Sequence, residues 1–307
     1  MTGIFSPDLE GRDPRSRGSR GAGVVLELGA WAEARWRPEG RRRRWVREAS
    51  GAPLPITEEV VRRGADGAPG ALSVVVRHEL PIGQGFGMSA AGALAAGLAV
   101  ARLLDRPARA AVETAHLAEL FGGGGLGGVA AIQGGGLELR LRSGLPPFGR
   151  VRHLPYGGPV YLAVAGPPLP SPELLGNPRF LARVRRAADE GLPGLAAAFG
   201  RKRFLEASER FGDRIALPPA AILRTIGRLR ARRVRVLRAM FGSSLVALPG
   251  TAAEAGRLEE GLREEGIPAV RLRAAAVGPF ARPGPCPTPA PPATASLLNR
   301  RRPRAAP

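Results

Sequence analysis

Alternating and continuous apolar patterns predict strands in both halves of the chain. In GLELRLRSG (136–144) leucines alternate with charged residues, which predicts a half-buried strand with Glu138 and Arg140 on its polar face. Segments 31–37 and 41–49 flank the turn PEG and predict a hairpin. Short apolar runs bounded by turn residues predict further strands at 23–29, 71–80, 159–166, 243–250 and 268–273.

Helical patterns and loops separate these strands. Helices are predicted over four stretches, 89–104, 107–121, 173–239 and 251–265. The third stretch has predicted breaks at 191–194 and 218–219, where glycine and proline cluster. Residues 1–22 carry turn formers and charge, which predicts a loop.

The order of these elements predicts an α+β protein with two domains. FGRVRHLPYGG (148–158) is typical of a linker, and beyond it the pattern of strands and helices restarts. We therefore expect an N-terminal domain over 1–152 and a C-terminal domain over 153–277. The tail 278–307 is rich in Pro, Ala and Arg and cannot build a core, which predicts disorder.

Composition narrows the class of protein. The 307 residues are 44% hydrophobic, enough for an ordinary core, and the formal charge is +20. Lys202 is the only lysine, and arginine is abundant along the whole chain, which indicates a bias in the coding DNA more than a designed patch. Nucleic acid is therefore disfavoured as the main partner, with 41–44 and Trp45 as the best candidate surface and a solvated edge hairpin as the favoured interpretation.

The cellular setting is predicted from what the chain lacks. Outside one alanine-rich run that holds Arg102, no stretch approaches twenty apolar residues, and Met1 is not followed by a signal pattern. Cys286 is the only cysteine, so no intramolecular disulfide can form. We expect a cytoplasmic protein with no membrane partner.

A glycine-rich turn precedes the first long helix, in LPIGQGFGMSAAGAL (80–94). A Walker-type phosphate loop requires a lysine that is missing here, and Pro81 with Ile82 disrupts the strand-to-helix turn of a dinucleotide site. The remaining interpretation is a loop at a helix N-terminus that binds an anion through backbone amides. Ser89 is then either a helix N-cap or a ligand of phosphate or magnesium, and its spacing does not decide between them.

The next helix carries an acidic residue beside a second glycine-rich segment. Glu113, His116 and Glu119 share one helix face, and GGGGLGG (122–128) follows within one turn of Glu119. Such a segment is costly to order unless backbone must approach a ligand closely. A carboxylate beside a phosphate loop is a usual ligand of magnesium, although a helical histidine is more often structural.

Four segments in the same order resemble the GHMP kinase superfamily. The turn at 80–94 is similar to the second motif of that superfamily, in the form found in archaeal-type pantoate kinases. GSRGAGV (18–24), the run 115–144 and GSSLVALPG (242–250) are similar to further segments of these kinases. Together they cover most of the chain from 18 to 273.

This resemblance implies a fold and an activity. The expected fold has an N-terminal domain like ribosomal protein S5 and a ferredoxin-like C-terminal domain, in a homodimer. The expected reaction is the ATP-dependent phosphorylation of pantoate to 4-phosphopantoate in coenzyme A biosynthesis. A GHMP kinase for mevalonate or homoserine, and a non-catalytic relative that binds a ligand or nucleic acid, remain as alternatives.

The resemblance also implies roles for individual residues. Ser89 and Glu119 would act in catalysis and hold Mg²⁺. The residues expected to bind ATP are Pro81, Gly83, Gly85, Gly87, Ser89 and Ala90. Those expected to bind pantoate are Ser19, His116 and Arg140, the last through the substrate carboxylate.

One position departs from the family pattern. Gly128 stands where these kinases carry an aspartate, the candidate base for the substrate hydroxyl group, and no acidic residue nearby in the sequence replaces it. Loss of a general base commonly lowers a rate about a hundredfold or more, although phosphoryl transfer depends mainly on positioning and charge neutralisation.

Overall fold

A computed structural model describes residues 1–169, 171–217, 219–279 and 297. The strands are β1 (Thr2–Asp8), β2 (Gly18–Val24), β3 (Ala30–Arg37), β4 (Arg43–Glu48), β5 (Ala71–His78), β6 (Leu137–Arg142), β7 (Arg150–Leu154), β8 (Pro159–Val164), β9 (Leu237–Arg238), β10 (Ser244–Ala247) and β11 (Ala269–Arg273). The helices are α1 (Pro55–Gly64), α2 (Met88–Leu103), α3 (Ala108–Phe121), α4 (Gly128–Ala131), α5 (Ser171–Leu175), α6 (Pro178–Ala197), α7 (Arg201–Ile215), α8 (Ala220–Ala231) and α9 (Ala252–Glu264).

The strands form three sheets. Two are antiparallel and four-stranded, in the orders β1-β2-β6-β7 and β11-β8-β10-β9. The third has the order β3-β5-β4, and β4 runs parallel to β5 because α1 forms the crossover between them. Among the described residues, no helix is both long and apolar enough to cross a bilayer.

The alanine-rich helix α2 lies at the centre of the N-terminal half. It packs against α1, α3 and β3, and its small side chains are buried over much of its length. Alanine and glycine allow neighbouring backbones to approach closely, so α2 can be covered by helices and by a sheet. Its N-terminus opens into the cleft described below.

The prediction of a loop over 1–22 is wrong. Residues Thr2–Asp8 form β1, which pairs with β2, and Ile4 and Phe5 are buried against α6 and α7. These helices are far away in the sequence, and the surrounding turn formers concealed the short apolar segment. The aromatic ring of Phe5 makes an edge-to-face contact with Phe211 of α7, with centroids 5.8 Å apart.

The predicted hairpin is also wrong, although both of its strands exist. β3 and β4 do not pair with each other, since β5 lies between them. β5 supplies Leu72, Val74 and Val76 to the core, so the most apolar strand takes the central position.

The predicted linker and helix break are replaced by regular structure. Residues 148–158 contain β7, which pairs with β6, so the expected domain boundary between 152 and 153 falls inside a strand and the division into domains stays a prediction. α6 continues through 191–194 with Pro193 in its interior, because Leu192 and Leu195 are buried in the core. The tail 278–307, predicted to be disordered, lies outside the described residues except for 278, 279 and 297.

Candidate active site

Three glycines in left-handed conformation shape the loop before α2. The φ angles of Gly83, Gly85 and Gly87 are 78°, 78° and 82°, which disfavours any residue with a side chain. A Cβ atom at Gly85 would also lie 2.9 Å from the Cβ atom of Ala239. Gly87 is the N-cap of α2 and provides no side-chain cap, so the first-turn amides retain the capacity to bind an anion.

The C-terminal half holds this loop in place. The Gln84 side chain donates a hydrogen bond to the Gly166 carbonyl oxygen at 3.0 Å and accepts one from the Ser244 hydroxyl group at 2.8 Å. A side chain at Gly242 would overlap the Gln84 backbone. The segment GSSLVALPG therefore acts as the support of the glycine loop, a role that sequence reasoning did not assign to Gln84.

Ser89 does not cap α2. It is the second helical residue, and its hydroxyl group donates a hydrogen bond to the Glu119 carboxylate on α3. The Gly125 amide donates to the other Glu119 oxygen at 2.6 Å. A Cβ atom at Gly124 would lie 2.8 Å from the Glu119 carboxyl carbon, which explains why this segment is rich in glycine.

The Glu119 carboxylate is almost completely buried, with 1% of the residue exposed. Burial raises the pKa of Glu119 to about 7, although the hydrogen bonds from Ser89 and Gly125 act to lower it. An approaching cation would favour the ionised form of such a group. Among the described residues, no set of three or more His, Cys, Asp or Glu could hold a metal ion.

A second buried charge lies in the wall formed by β2 and β6. Glu138 and Arg140 form an ion pair and are only 1% and 2% exposed, so the strand predicted to be half-buried is buried on its polar face as well. Their partners across the ladder are Gly23 and Gly21. A Cβ atom at Gly21 would lie 2.5 Å from Arg140 Nη2, and one at Gly23 would lie 2.7 Å from Glu138 Oε1.

Ser19 belongs to the same wall, and its carbonyl oxygen accepts a hydrogen bond from Arg140 Nε at 3.3 Å. His116 is buried beside β2, with its Cε1 atom 3.6 Å from the position of a Cβ atom at Gly18. Burial lowers the pKa of His116, and its Nε2 atom has no hydrogen-bond partner within the described structure. Glu113, on the same helix face in the sequence, is instead half-exposed near Arg15.

One cleft of about 1110 Å³ connects these features. Much of its lining is apolar and comes from β3 and α2. The residues that were predicted for the site and that line this cleft are Ser19, Gly83, Gly85, Gly87, Ser89, Ala90 and Glu119. Glu138, which sequence reasoning placed on a polar strand face, also lines it, whereas Pro81, His116 and Arg140 are buried behind the lining.

Part of the chain is similar to a known family of kinases. Residues 56–145 match the model of the GHMP kinases N terminal domain. A pantoate kinase of Methanospirillum hungatei is 28% identical over 197 residues, which are 63% of this chain and 67% of the relative. A pantoate kinase of Thermococcus kodakarensis is 33% identical over 156 residues, but this match spans only 51% of the relative and 48% of this chain.

Residues 56–145 thus match a GHMP kinase domain, and the resemblance of the chain to the GHMP kinase superfamily is confirmed. A solved phosphotransferase related to the CoA biosynthesis pathway superposes with a TM-score of 0.78 at 24% identity, covering 92% of this chain and 97% of that one. A mevalonate kinase superposes with a TM-score of 0.57 at 12% identity, covering 85% and 92%. The expected α+β GHMP kinase fold is thereby confirmed, and the superfamily relatives indicate a kinase.

Gly128, which stands where the resemblance predicts an aspartate, packs closely against α2. Gly128 is the first residue of α4, and a Cβ atom there would lie 2.7 Å from the Cβ atom of Ala90 in the first turn of α2. Relieving this contact would require one of the two backbones to move, which is costly because both belong to packed helices. In this chain an aspartate at 128 would therefore displace the turn that carries Ser89.

Substitution Gly128→Ala tests this close packing. We expect the free energy of unfolding to fall by about 1–3 kcal/mol, as is usual for overpacking, in urea denaturation. Gly256→Ala is a matched control, since Gly256 is inside α9 with nothing near its Cβ position and should be neutral or stabilising by about 0.4–1 kcal/mol. Adding Ala90→Gly should recover part of the loss, and strictly additive effects would contradict the contact.

Substitution Glu119→Gln tests the titration of this buried carboxylate. Because the pKa of Glu119 is higher in the folded chain than its ordinary value of 4.5, ionisation opposes folding, and stability present below about pH 4.5 is lost as the pH rises through about 7. The shift corresponds to roughly 3 kcal/mol. We expect the metal-free variant to gain stability over the wild type at about pH 8 and not at about pH 4. A difference that is independent of pH would exclude the titration.

Proposed function

We propose that the chain is an ATP-dependent kinase that transfers the γ-phosphoryl group to a hydroxyl group of pantoate. The observation that carries this proposal is the contact between Ser89 and Glu119 at the N-terminus of α2, in the same cleft as Ser19. The pantoate kinase relatives support the choice of substrate. The solved mevalonate and homoserine kinases share the fold at 15% identity or less and do not favour their own substrates.

The phosphate end of the cleft has the chemistry that ATP requires. The free amides at the N-terminus of α2 and the helix dipole would stabilise the negative charge of the phosphates. The Ser89 hydroxyl group and the Glu119 carboxylate would hold a magnesium ion, which when bound neutralises phosphate charge. The loop 83–87, which is anchored by the buried side chains of Gln84 and Phe86, would cover one side of the triphosphate.

The other end of the cleft suits a small hydroxy acid. Arg140 donates from Nε to the Ser19 carbonyl oxygen and from Nη1 to Glu138. In this proposal its guanidinium group also binds the substrate carboxylate, once the substrate reaches the buried wall behind the cleft lining. The unpartnered Nε2 atom of His116 and the Ser19 hydroxyl group would orient the alcohol groups. A homodimer and a cytoplasmic location, which the sequence led us to expect, stay predictions.

Purified protein with ATP, Mg²⁺ and pantoate should release ADP. Arg140→Lys keeps the positive charge beside Glu138 but loses the planar guanidinium group with its several donors. We therefore expect the KM for pantoate to rise about 10- to 100-fold, with little change in the KM for ATP. Arg224→Ala, at an exposed position of α8, is the control. Absence of turnover with pantoate, mevalonate and homoserine alike would refute the kinase function, and faster turnover of another alcohol would refute the choice of pantoate.

A second candidate function rests on the outer face of the β3-β5-β4 sheet. This face carries two tryptophans, one acidic residue and five arginines, which are Trp31, Trp45, Glu33, Arg35, Arg37, Arg43, Arg47 and Arg77. Trp45 is 51% exposed, and within the described structure only Arg35 of the five arginines has an acidic partner. Aromatic rings among basic groups can stack on the bases of a single-stranded nucleic acid.

Binding of a single-stranded oligonucleotide at several salt concentrations tests this second function. A dedicated site should retain affinity at about 0.2 M salt and lose it on Trp45→Ala, since stacking contributes about 1–3 kcal/mol per base. Leu103→Ala removes another exposed apolar side chain and is the control. Binding that disappears with salt and is insensitive to Trp45→Ala would show charge attraction alone.

A further inference from the structure

The absence of a side-chain acid at Gly128 raises the question of which group receives the proton of the substrate hydroxyl. Within the described lining of the cleft, the acidic residues are Glu27, Glu33, Glu79, Glu119 and Glu138. The first four are engaged at short distance by Arg273, Arg35, Gly29 and the pair Ser89 and Gly125, respectively. Glu138 is different, because its Oε2 atom is buried and has no hydrogen-bond partner among the described residues.

Glu138 lies in the wall to which residue 128 is adjacent. It shares a sheet face with Arg140 and with the glycines of β2 opposite both residues. The backbone of Gly127 crosses over this wall, and a Cβ atom there would lie 2.6 Å from Arg140 Nε and 2.6 Å from Ser19 Oγ. The fold thus brings a carboxylate that is ten residues away in the sequence to the region next to position 128.

We propose that Glu138 accepts the proton of the substrate hydroxyl group, in place of an acid at position 128. This inference rests on the proposed kinase function. The hydroxyl O–H bond breaks and its proton moves to Oε2 of Glu138, while the hydroxyl oxygen forms a bond to the γ-phosphorus. The bond from that phosphorus to the β–γ bridging oxygen breaks, and its electron pair leaves with ADP.

Burial and the neighbouring charges act on Glu138 in opposite directions. Burial raises the pKa of Glu138, whereas the Arg140 guanidinium, the Met1 amino group and His153 on the adjacent strand β7 act in the opposite direction. A raised pKa makes the carboxylate a better proton acceptor, while Arg140 favours its ionised form. The rate should therefore rise with pH as Glu138 ionises.

The variants Glu138→Gln and Glu138→Asp, made in the full chain, test this assignment with ATP, Mg²⁺ and the alcohol that the wild type phosphorylates. We expect Glu138→Gln to lower kcat about a hundredfold or more, with the KM for ATP unchanged. The variant should also lose the acid limb of the pH profile, which is the rise of kcat with pH as Glu138 ionises. Glu138→Asp should retain the limb and part of the rate. Glu209→Gln is the matched control, because Glu209 is also paired with an arginine and has a pKa raised by burial, but lies outside the cleft.

The alternative is that Glu138 only positions Arg140. Glu138→Gln would then raise the KM for pantoate and leave kcat and the acid limb intact, which would overturn the proposal. Circular dichroism and ATP titration show whether Glu138→Gln folds; if it does not, an unchanged kcat in Glu138→Asp would overturn the proposal as well. A wild type that is inactive with every alcohol would instead refute the kinase function, and the role of Glu138 with it.

Discussion

Two buried glutamates, Glu119 and Glu138, impose the main constraint on this structure. A buried carboxylate is costly unless hydrogen bonds or an opposite charge compensate for lost hydration. Glu119 is compensated by a hydroxyl group and a backbone amide, and Glu138 by the Arg140 guanidinium. In both places the compensating groups reach the carboxylate because the adjacent backbone consists of glycine.

The glycines therefore have distinct physical roles that composition conceals. Gly83, Gly85 and Gly87 are required by backbone conformation, since each has a positive φ. Gly124 is required by the nearness of the Glu119 carboxylate, and Gly128 by the nearness of α2. Only the first group fits the usual association of glycine with turns, while the others preserve space for a charge or for a helix.

The cleft depends on both halves of the chain. The loop before α2 is held by Gln84, whose side chain bonds to groups near β8 and in β10. One hydrophobic core also joins β1, β2 and β6 to α6 and α7. Movement of the C-terminal half relative to α2 would consequently disturb the glycine loop. Under the proposed function, nucleotide binding would therefore be coupled to the packing of both halves.

Sequence patterns alone determined much of this protein. The strand β5, the glycine-rich turn after it and the helices α2 and α3 follow from apolar periodicity and glycine spacing, and the order of the motifs indicated the resemblance to the GHMP kinase superfamily. Ser89 could be narrowed only to two roles, and the pairing of β3 with β5 and the strand inside the supposed linker were missed. Tertiary structure decided these, because pairing and burial depend on segments distant in the chain: whether Glu138 faces water or a buried arginine is set by what covers its strand, and no local pattern records that.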